Sequence, residues 1–389
     1  MQGFLLSCVC RLRQVTEKIM FKIYYVGGCV RDFVMGREPK DIDYVVVGAT
    51  HEQMIELGYK KVGADFPVYL HPETGDEYAL ARRERSTGPG YTDFECEFGK
   101  DVTLEEDLYR RDLTMNAMAQ DIENGEIIDP YNGREHIKQN IVELVNPKAF
   151  LEDPVRILRA IRFANRYSMT MGKSTQIGII EAQANGVMKG LTSNRIWKEV
   201  EKTMEDGQYH NFVSDVYSYG IDFEVFGISL ANHTRGLMTY NITKESSHVL
   251  IDSKMTQFAA SMMFVPRDDL ETVLKKIKPP SKFKKIARLT NQNAGVIIPH
   301  KRRTTASKIV HMFEQSQAFN DVAFIRPLIN VMIGTNPEYS QLIINVFMDC
   351  KVVDATMFPD IEPGVKLGKA IREKRVSIVE EVLNDCKCY

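Results

Sequence analysis

The segment Val26-Gly27-Gly28-Cys29-Val30-Arg31-Asp32, with Asp41-Ile42-Asp43 nine residues on, constrains this chain more than any other. The β-rich run Lys22–Val26 leads into two glycines, and a second β-rich run, Tyr44–Val47, follows the acid pair. Glycines after a strand let the backbone approach an anion, with no Cβ in the way and with N–H groups free to point at phosphate. Arg31 stands where it can clamp that phosphate. Residues two apart on a strand face one side, so Asp41 and Asp43 present two carboxylates to one point. That suits a pair of Mg²⁺ ions about 3.5–4 Å apart, as two-metal phosphoryl transfer requires. Taken singly, a Gly-Gly turn is only a turn and an acid pair at a strand edge is a solvated rim.

A second constellation is Arg110-Arg111-Asp112-Leu113-Thr114-Met115-Asn116-Ala117, preceded by Glu105-Glu106-Asp107. Read as a helix, it puts Asp112 and Asn116 on one face to address a sugar hydroxyl, with Arg111 directed at phosphate. The alternative is a solvated helix with intrahelical pairs. The third is Glu152-Asp153-Pro154-Val155-Arg156-Ile157-Leu158-Arg159-Ala160-Ile161-Arg162. Asp153, Arg156, Arg159 and Arg162 recur every three residues, which predicts a slowly drifting row along one helix face. Such a basic row is either exposed surface or a reader of phosphate and base.

Between Phe21 and Asp129 short β-rich runs, among them Val68–Leu70 and Glu77–Leu80, alternate with amphipathic stretches, an α/β pattern. Pro89 and its flanking glycines make Ser86–Tyr91 a loop. Beyond the turn-forming Asp129–Gly133 the apolar spacing becomes helical, as in Glu152–Tyr167 and Asn194–Met204. The chain of 389 residues is too long for one core. Its divisions are expected at 1–20, a dispensable extension; 21–140, a mixed-sheet α/β head; 141–210, 211–310 and 311–389, all helical.

The net charge of −2 gives no bulk basic signature, so nucleic-acid contact must come from local patches. One patch is clear. Lys275, Lys276, Lys278, Lys282, Lys284, Lys285 and Arg288, then Lys301, Arg302, Arg303 and Lys308, are opposed only by Glu271 between 271 and 310. Such a run suits a phosphate backbone. No apolar run reaches the roughly 18 residues that span a bilayer. The seven cysteines include no C-x-x-C pair, which favours free thiols in a reducing compartment.

In this order the motifs G-G-x-V-R-D, D-x-D, R-R-D-x-x-x-N-A and E-D-x-x-R resemble the class II tRNA nucleotidyltransferases, and bacterial poly(A) polymerases share the first three. The likeness is close over residues 20–205, taking in Phe66–His71, Glu77–Arg82 and Asn194–Glu199, and is greatest to the bacterial CCA-adding members. The resemblance implies a seahorse-shaped molecule with a nucleotidyltransferase head and a helical neck, body and tail. It implies cytoplasmic addition of C, C and A to the tRNA 3′ end from CTP and ATP, with Mg²⁺ on Asp41 and Asp43. Gly28, Arg31, Arg111, Arg159 and Arg162 would contact the nucleotide, Asp112 and Asn116 would lie near its ribose, and Asp153 and Arg156 would read its base.

The hydrogen-bonding inventory agrees with the last assignment. Cytosine and adenine both offer an amino donor beside a ring-nitrogen acceptor, and a carboxylate next to a guanidinium matches that order. Glu77 is either a third carboxylate or an ordinary strand residue. Lys282, Lys284, Lys285, Lys301, Arg302 and Arg303 would meet the acceptor arm, and Glu362–Ile371 resembles a C-terminal helix start that touches RNA.

Two departures stand out. None of the eight histidines precedes an aspartate, so the His-Asp phosphohydrolase mark of many relatives is missing, and that second activity is not expected. His136-Ile137 stands where the family shows Asp-Leu, at the join of head and neck. The rivals are a poly(A) polymerase, an enzyme adding only part of CCA, and a tRNA-binding module without catalysis. Intact metal aspartates and arginines argue against the last.

Overall fold

The computed structural model describes residues 21–62, 67–86, 94–232, 254–299 and 304–385. The N-terminal extension, most of the expected loop at Ser86–Tyr91, and Lys301, Arg302 and Arg303 lie outside these. The chain forms two compact units, one ending at Leu191 and the other beginning at Thr192.

The first unit is built on a seven-stranded mixed sheet. In chain order its strands are β1 (Lys22–Val26), β2 (Asp43–Val47), β3 (Lys60–Val62), β4 (Val68–Leu70), β5 (Glu77–Leu80), β8 (Ala119–Asp121) and β9 (Ile127–Ile128), in spatial order β3-β4-β5-β2-β1-β8-β9. A hairpin of β6 (Arg82–Ser86) and β7 (Phe94–Phe98) stands apart from it. β2 runs parallel to β5, and the other pairs of the sheet are antiparallel.

Alternation along β1 and β2 supplies both faces of the sheet. Ile23 and Val46, partners in register, join Met54, Tyr69 and Tyr78 in one buried cluster, and Tyr24 and Val45 join Leu104 and Leu108 in another. Helix α1 (Gly28–Val34) leaves β1 through Gly27, α2 (His51–Glu56) follows β2, and α3 (Leu104–Tyr109) follows the hairpin. Both α2 and α3 start on capping boxes, Thr50 with Gln53 and Thr103 with Glu106, which satisfy otherwise orphaned first-turn amides.

The R-R-D-x-x-x-N stretch is not the continuous helix that its spacing predicts. α3 ends at Tyr109 with Arg110 as its cap, Leu113 is extended, and a 3₁₀ turn spans Thr114–Asn116. Leu113 bridges Leu144, and the Thr114 amide donates to the Glu143 carbonyl at 2.9 Å, so tertiary pairing overrides local helix preference here. Helix α4 (Gly133–Lys138) packs on this turn so closely that a Cβ on Gly133 would lie 2.4 Å from the Thr114 carbonyl oxygen.

Glu152–Tyr167 is likewise interrupted. α5 (Ala149–Glu152) stops at Asp153, which is extended, and α6 (Val155–Tyr167) begins after Pro154. The residue before a proline avoids the helical region, and the Asp153 carboxylate accepts from the Val155 amide at 3.2 Å to start α6. α6 buries Val155, Ile157, Leu158, Ala160, Ile161 and Ala164. A short parallel pair, β10 (Ile141–Val142) with β11 (Thr170–Met171), and helix α7 (Lys173–Ala184) complete the unit.

The second unit is helical. Its helices Ser193–Glu205, Lys254–Met262 and Ser281–Gln292 meet where Trp197 packs edge-on against Phe258 and Phe283. Helices Ala306–Gln315 and Pro337–Lys351 meet at Phe313 and Phe347. The terminal helix Val365–Asp385 is tied in by Arg375, which lies over the Phe319 ring and donates to the carbonyls of Cys350 and Val353.

Candidate nucleotide site

The β1–β2 register pairs Val26 with Asp43, so the Gly-Gly turn and the acid pair share one end of the sheet. β2 begins at Asp43, and Asp41 lies just before it rather than within the strand. The two carboxylates still feel one another. Burial raises the Asp43 pKa, the nearby Arg111 charge lowers it, and Asp41 raises it again. Glu77 opens β5 beside the start of β2, but among the described residues no three acidic, histidine or cysteine side chains form a metal cluster.

Gly27 has φ +73°, and a Cβ there would stand 2.8 Å from Arg111 Nη1. Its lack of a side chain lets that guanidinium press against the turn. Arg111 is aimed by Asp107, whose fully buried carboxylate takes Arg111 Nη2 at 3.1 Å and Arg110 Nη2 at 2.7 Å. Burial by itself would raise the Asp107 pKa, but the charges of Arg111 and Arg110 and their hydrogen bonds bring it below its ordinary value. Arg111 Nε is buried without a partner, a spare donor on the side chain expected to take phosphate. Asp107 was not among the expected site residues, although its place three and four residues before the arginine pair is a helical pairing signal.

Arg31 is 6% exposed and donates Nη1 to Asn116 Oδ1 at 2.8 Å. It pairs with Asp32 at 2.9 Å, and Asp32 also accepts from the Tyr167 hydroxyl at 3.3 Å. Gly28 lies over the Arg31 guanidinium, 3.5 Å from where its Cβ would be. Asp112 and Asn116 do meet, through the 3₁₀ turn rather than along a helix, with Asn116 Nδ2 3.4 Å from Asp112 Oδ1. Instead of standing open for a sugar, Asp112 is 6% exposed and takes Arg159 Nε at 2.6 Å. Burial pushes its pKa up, but the Arg159 charge and hydrogen bond, with Arg156 and Asn116, outweigh it and hold the carboxyl at about 2. His136 Nδ1 is 2.9 Å from Thr114 Oγ1, so the unusual histidine braces this turn.

The basic row on α6 is largely turned inward rather than exposed to solvent. Arg162 is 4% exposed and sits 4.4 Å over the Phe163 ring, while Arg159 reaches Asp112. Arg156 donates Nη2 to the Arg110 carbonyl at 3.0 Å and stands 3.7 Å from Glu152. It lines an open cleft of about 320 Å³ with Arg83, Tyr109, Arg110, Tyr131 and Glu152. Asp153, which spends one oxygen on the Val155 amide, is not among its lining residues.

In the second unit Lys285 donates to Gln317 at 2.9 Å and lies 4.0 Å over Phe324, and Lys282 lies against Phe283. Lys282 is exposed, Lys284 is half-buried, and Arg288 pairs with Glu271 through both nitrogens at 2.7 Å. No helix of the described residues is long and apolar enough to cross a membrane.

Residues 23–143 match the family model described as the poly A polymerase head domain. The chain is 38% identical to a CCA-adding enzyme of Pseudomonas putida over 375 residues, 92% of this chain and 98% of that protein. It is 38% identical to a multifunctional CCA protein of Pseudomonas putida over 307 residues, 77% of this chain and 82% of that one. A match to the multifunctional CCA protein of Hahella chejuensis, 49% identical, takes in 50% of this chain and 47% of that relative.

Among solved structures, an unliganded CCA-adding enzyme superposes with TM-score 0.73 at 21% identity, covering 98% of this chain and 96% of that one. The Thermotoga maritima CCA-adding enzyme complexed with tRNA gives 0.69 at 19% identity, covering 98% and 96%. A mixed-sheet nucleotidyltransferase head followed by a mostly helical remainder is the fold these structures share with the chain. The chain belongs to the family of CCA-adding enzymes, the tRNA nucleotidyltransferases.

The depressed Asp112 carboxyl has a consequence for stability. Its contribution is fully present above the ordinary carboxyl value of 3.8 and is lost as pH falls toward about 2. Unfolding free energy measured from pH 5 to 2 should drop by about 2 kcal/mol more in the wild type than in Asp112→Asn. Equal slopes in the two proteins would show that Asp112 is not held ionised by Arg159.

Proposed function

We propose that the chain adds C, C and A to the 3′ end of tRNA from CTP and ATP without a nucleic-acid template. The observation that carries this reading is the electrostatically coupled Asp41–Asp43 pair beside the Gly27–Gly28 turn and Arg111. Burial and the neighbouring Asp41 charge raise the Asp43 pKa, surroundings that suit a divalent cation, and Mg²⁺ takes one or two carboxylates and completes its shell with phosphate and water. Asp41 and Asp43 would hold it, and it would supply charge neutralisation at the α-phosphate and activation of the attacking hydroxyl.

In the reaction the tRNA 3′-oxygen bonds to the α-phosphorus, the bond to the bridging oxygen breaks, and pyrophosphate leaves. Arg111, with its spare Nε donor, and Arg31 orient the triphosphate, and Arg159 and Arg162 approach it from α6. Asp112 and Asn116 set the edge of the ribose pocket. Arg156 is satisfied by the Arg110 carbonyl, so reading a base means exchanging that acceptor for the ring nitrogen of C or A. Asp153, whose carboxylate accepts from the Val155 amide, then accepts from the amino group of the base.

The nearly full-length likeness to CCA-adding enzymes supports full CCA addition over the partial-adding and poly(A) readings. It also supports a cytoplasmic setting beside tRNA. Exposed Lys282 and half-buried Lys284 are the described members of the basic run best suited to the acceptor arm, and Lys285 is partly committed to Gln317.

Three measurements test this reading. Asp43→Ala should abolish addition to a tRNA ending at its discriminator base, with tRNA affinity retained, because it removes a metal ligand and little packing. Activity within tenfold of wild type would reject the assignment. Arg156→Ala should lower the CTP-over-UTP ratio of kcat/KM by about ten- to a hundredfold, the worth of a lost charge-assisted bond of about 1.5–3 kcal/mol. An unchanged ratio with a slower rate would make Arg156 a structural residue. Reversing the charges of Lys282 and Lys284 should weaken tRNA binding and flatten its salt dependence, and an unaltered slope would return them to plain surface.

A further inference from the structure

Phe163 and Tyr167 are four residues apart on α6, and their rings stack nearly parallel, 6.2 Å between centroids at 4°. Arginines gather on them from two sources. From the head, the Arg31 guanidinium lies 5.3 Å from the Phe163 centroid and 5.0 Å from that of Tyr167, and Arg37 lies 4.9 Å from Tyr167. From α6 itself, Arg162 and Arg159 lie 4.4 and 5.7 Å from Phe163, and Arg166 lies 5.3 Å from Tyr167. The Tyr167 hydroxyl reaches Asp32, the partner of Arg31.

Five guanidiniums drawn this close repel one another, although Arg31 is also held by Asp32 and Asn116 and Arg159 by Asp112. A guanidinium held over a ring face is attracted to its quadrupole and loses its freedom to rotate away. We propose that Phe163 and Tyr167 are positioning residues for nucleotide binding, a two-ring platform that fixes Arg31, Arg159 and Arg162 toward the triphosphate and adds Arg37 and Arg166 to its field. The platform rests on the reading that these arginines take the triphosphate. It acts on phosphate and is indifferent to the base, which separates it from Asp153 and Arg156.

The test uses the full chain and two ligands, CTP and inorganic tripolyphosphate, with affinities measured by calorimetry and steady-state constants measured on tRNA lacking CCA. Tyr167→Leu and Phe163→Leu should weaken tripolyphosphate about tenfold and raise the KM of CTP and ATP to the same extent. The kcat, the KM for tRNA and the CTP-over-UTP ratio should move less than threefold. Tyr167→Phe, which keeps the ring and loses the hydroxyl, should recover most of the affinity.

Unchanged nucleotide and tripolyphosphate affinity with a lowered Tm would reduce the rings to packing and overturn the proposal. So would a Tyr167→Phe variant as weak as Tyr167→Leu, since the hydroxyl on Asp32 would then be the operative group. Tyr167 is 8% exposed at the end of its helix, so its variants carry the test if Phe163→Leu fails to fold. Wild-type protein that binds neither CTP nor tripolyphosphate would overturn the reading beneath the proposal instead.

Discussion

A carboxylate taken out of water must be paired or give up its charge, and two such carboxylates, Asp107 and Asp112, organise everything around the candidate site. Asp107 closes α3 onto Arg110 and Arg111, and Asp112, two residues beyond Arg110, crosses to Arg159 on α6. Removing either acid would leave half-buried guanidiniums without their counter-charge, a larger cost than the loss of one surface ion pair. The same contacts fix where Arg110, Arg111 and Arg159 point. Stability and substrate geometry are therefore served by one set of interactions, and neither can be altered alone.

That coupling explains why the turn between them is built so tightly. Asp112 and Asn116 must converge within five residues on partners that come from α1 and α6, and a regular helix would send the intervening Leu113 out of the β10 neighbourhood it bridges. The extended Leu113 and the 3₁₀ turn meet both demands. Gly133 and His136 of α4 close the turn from outside, the first by having no side chain and the second through Thr114. His136, where the resemblance led to the expectation of an acid, thus touches the Thr114–Asn116 turn.

Much of this was legible in the sequence, because strand alternation and motif chemistry are local. The runs at Lys22–Val26, Val68–Leu70 and Glu77–Leu80 are strands within the limits their residues suggest, and the apolar spacing of α6 predicts its buried face. What spacing could not supply was tertiary partnership. The arginines at 156, 159 and 162 look like a solvated row because their counterparts, the Arg110 carbonyl, Asp112 and the Phe163 ring, come from the head or from one residue along the same helix. Helix periodicity likewise carried the reading through Arg110–Asn116 and across Asp153, where pairing to Leu144 and the following Pro154 end it. Asp107 could have been found from its distance of three and four residues to the arginine pair. Tyr167 could not, because its partners Arg31, Asp32 and Arg37 lie far away in sequence.

The division of labour along α6 follows from where each residue falls on the helix. Its first turn holds Arg156 against a backbone carbonyl, an acceptor that a base can replace at little cost because one neutral acceptor of the charged guanidinium is exchanged for another. Its middle holds Arg159 in a half-buried ion pair with Asp112, and its later turns hold Arg162 over the Phe163 ring and Tyr167 against Asp32. Under the proposed function, exchangeable contacts would lie toward the base and fixed ones toward the phosphates. An enzyme that accepts two different bases while treating their triphosphates alike would use that gradient along a helix anchored at Asp112.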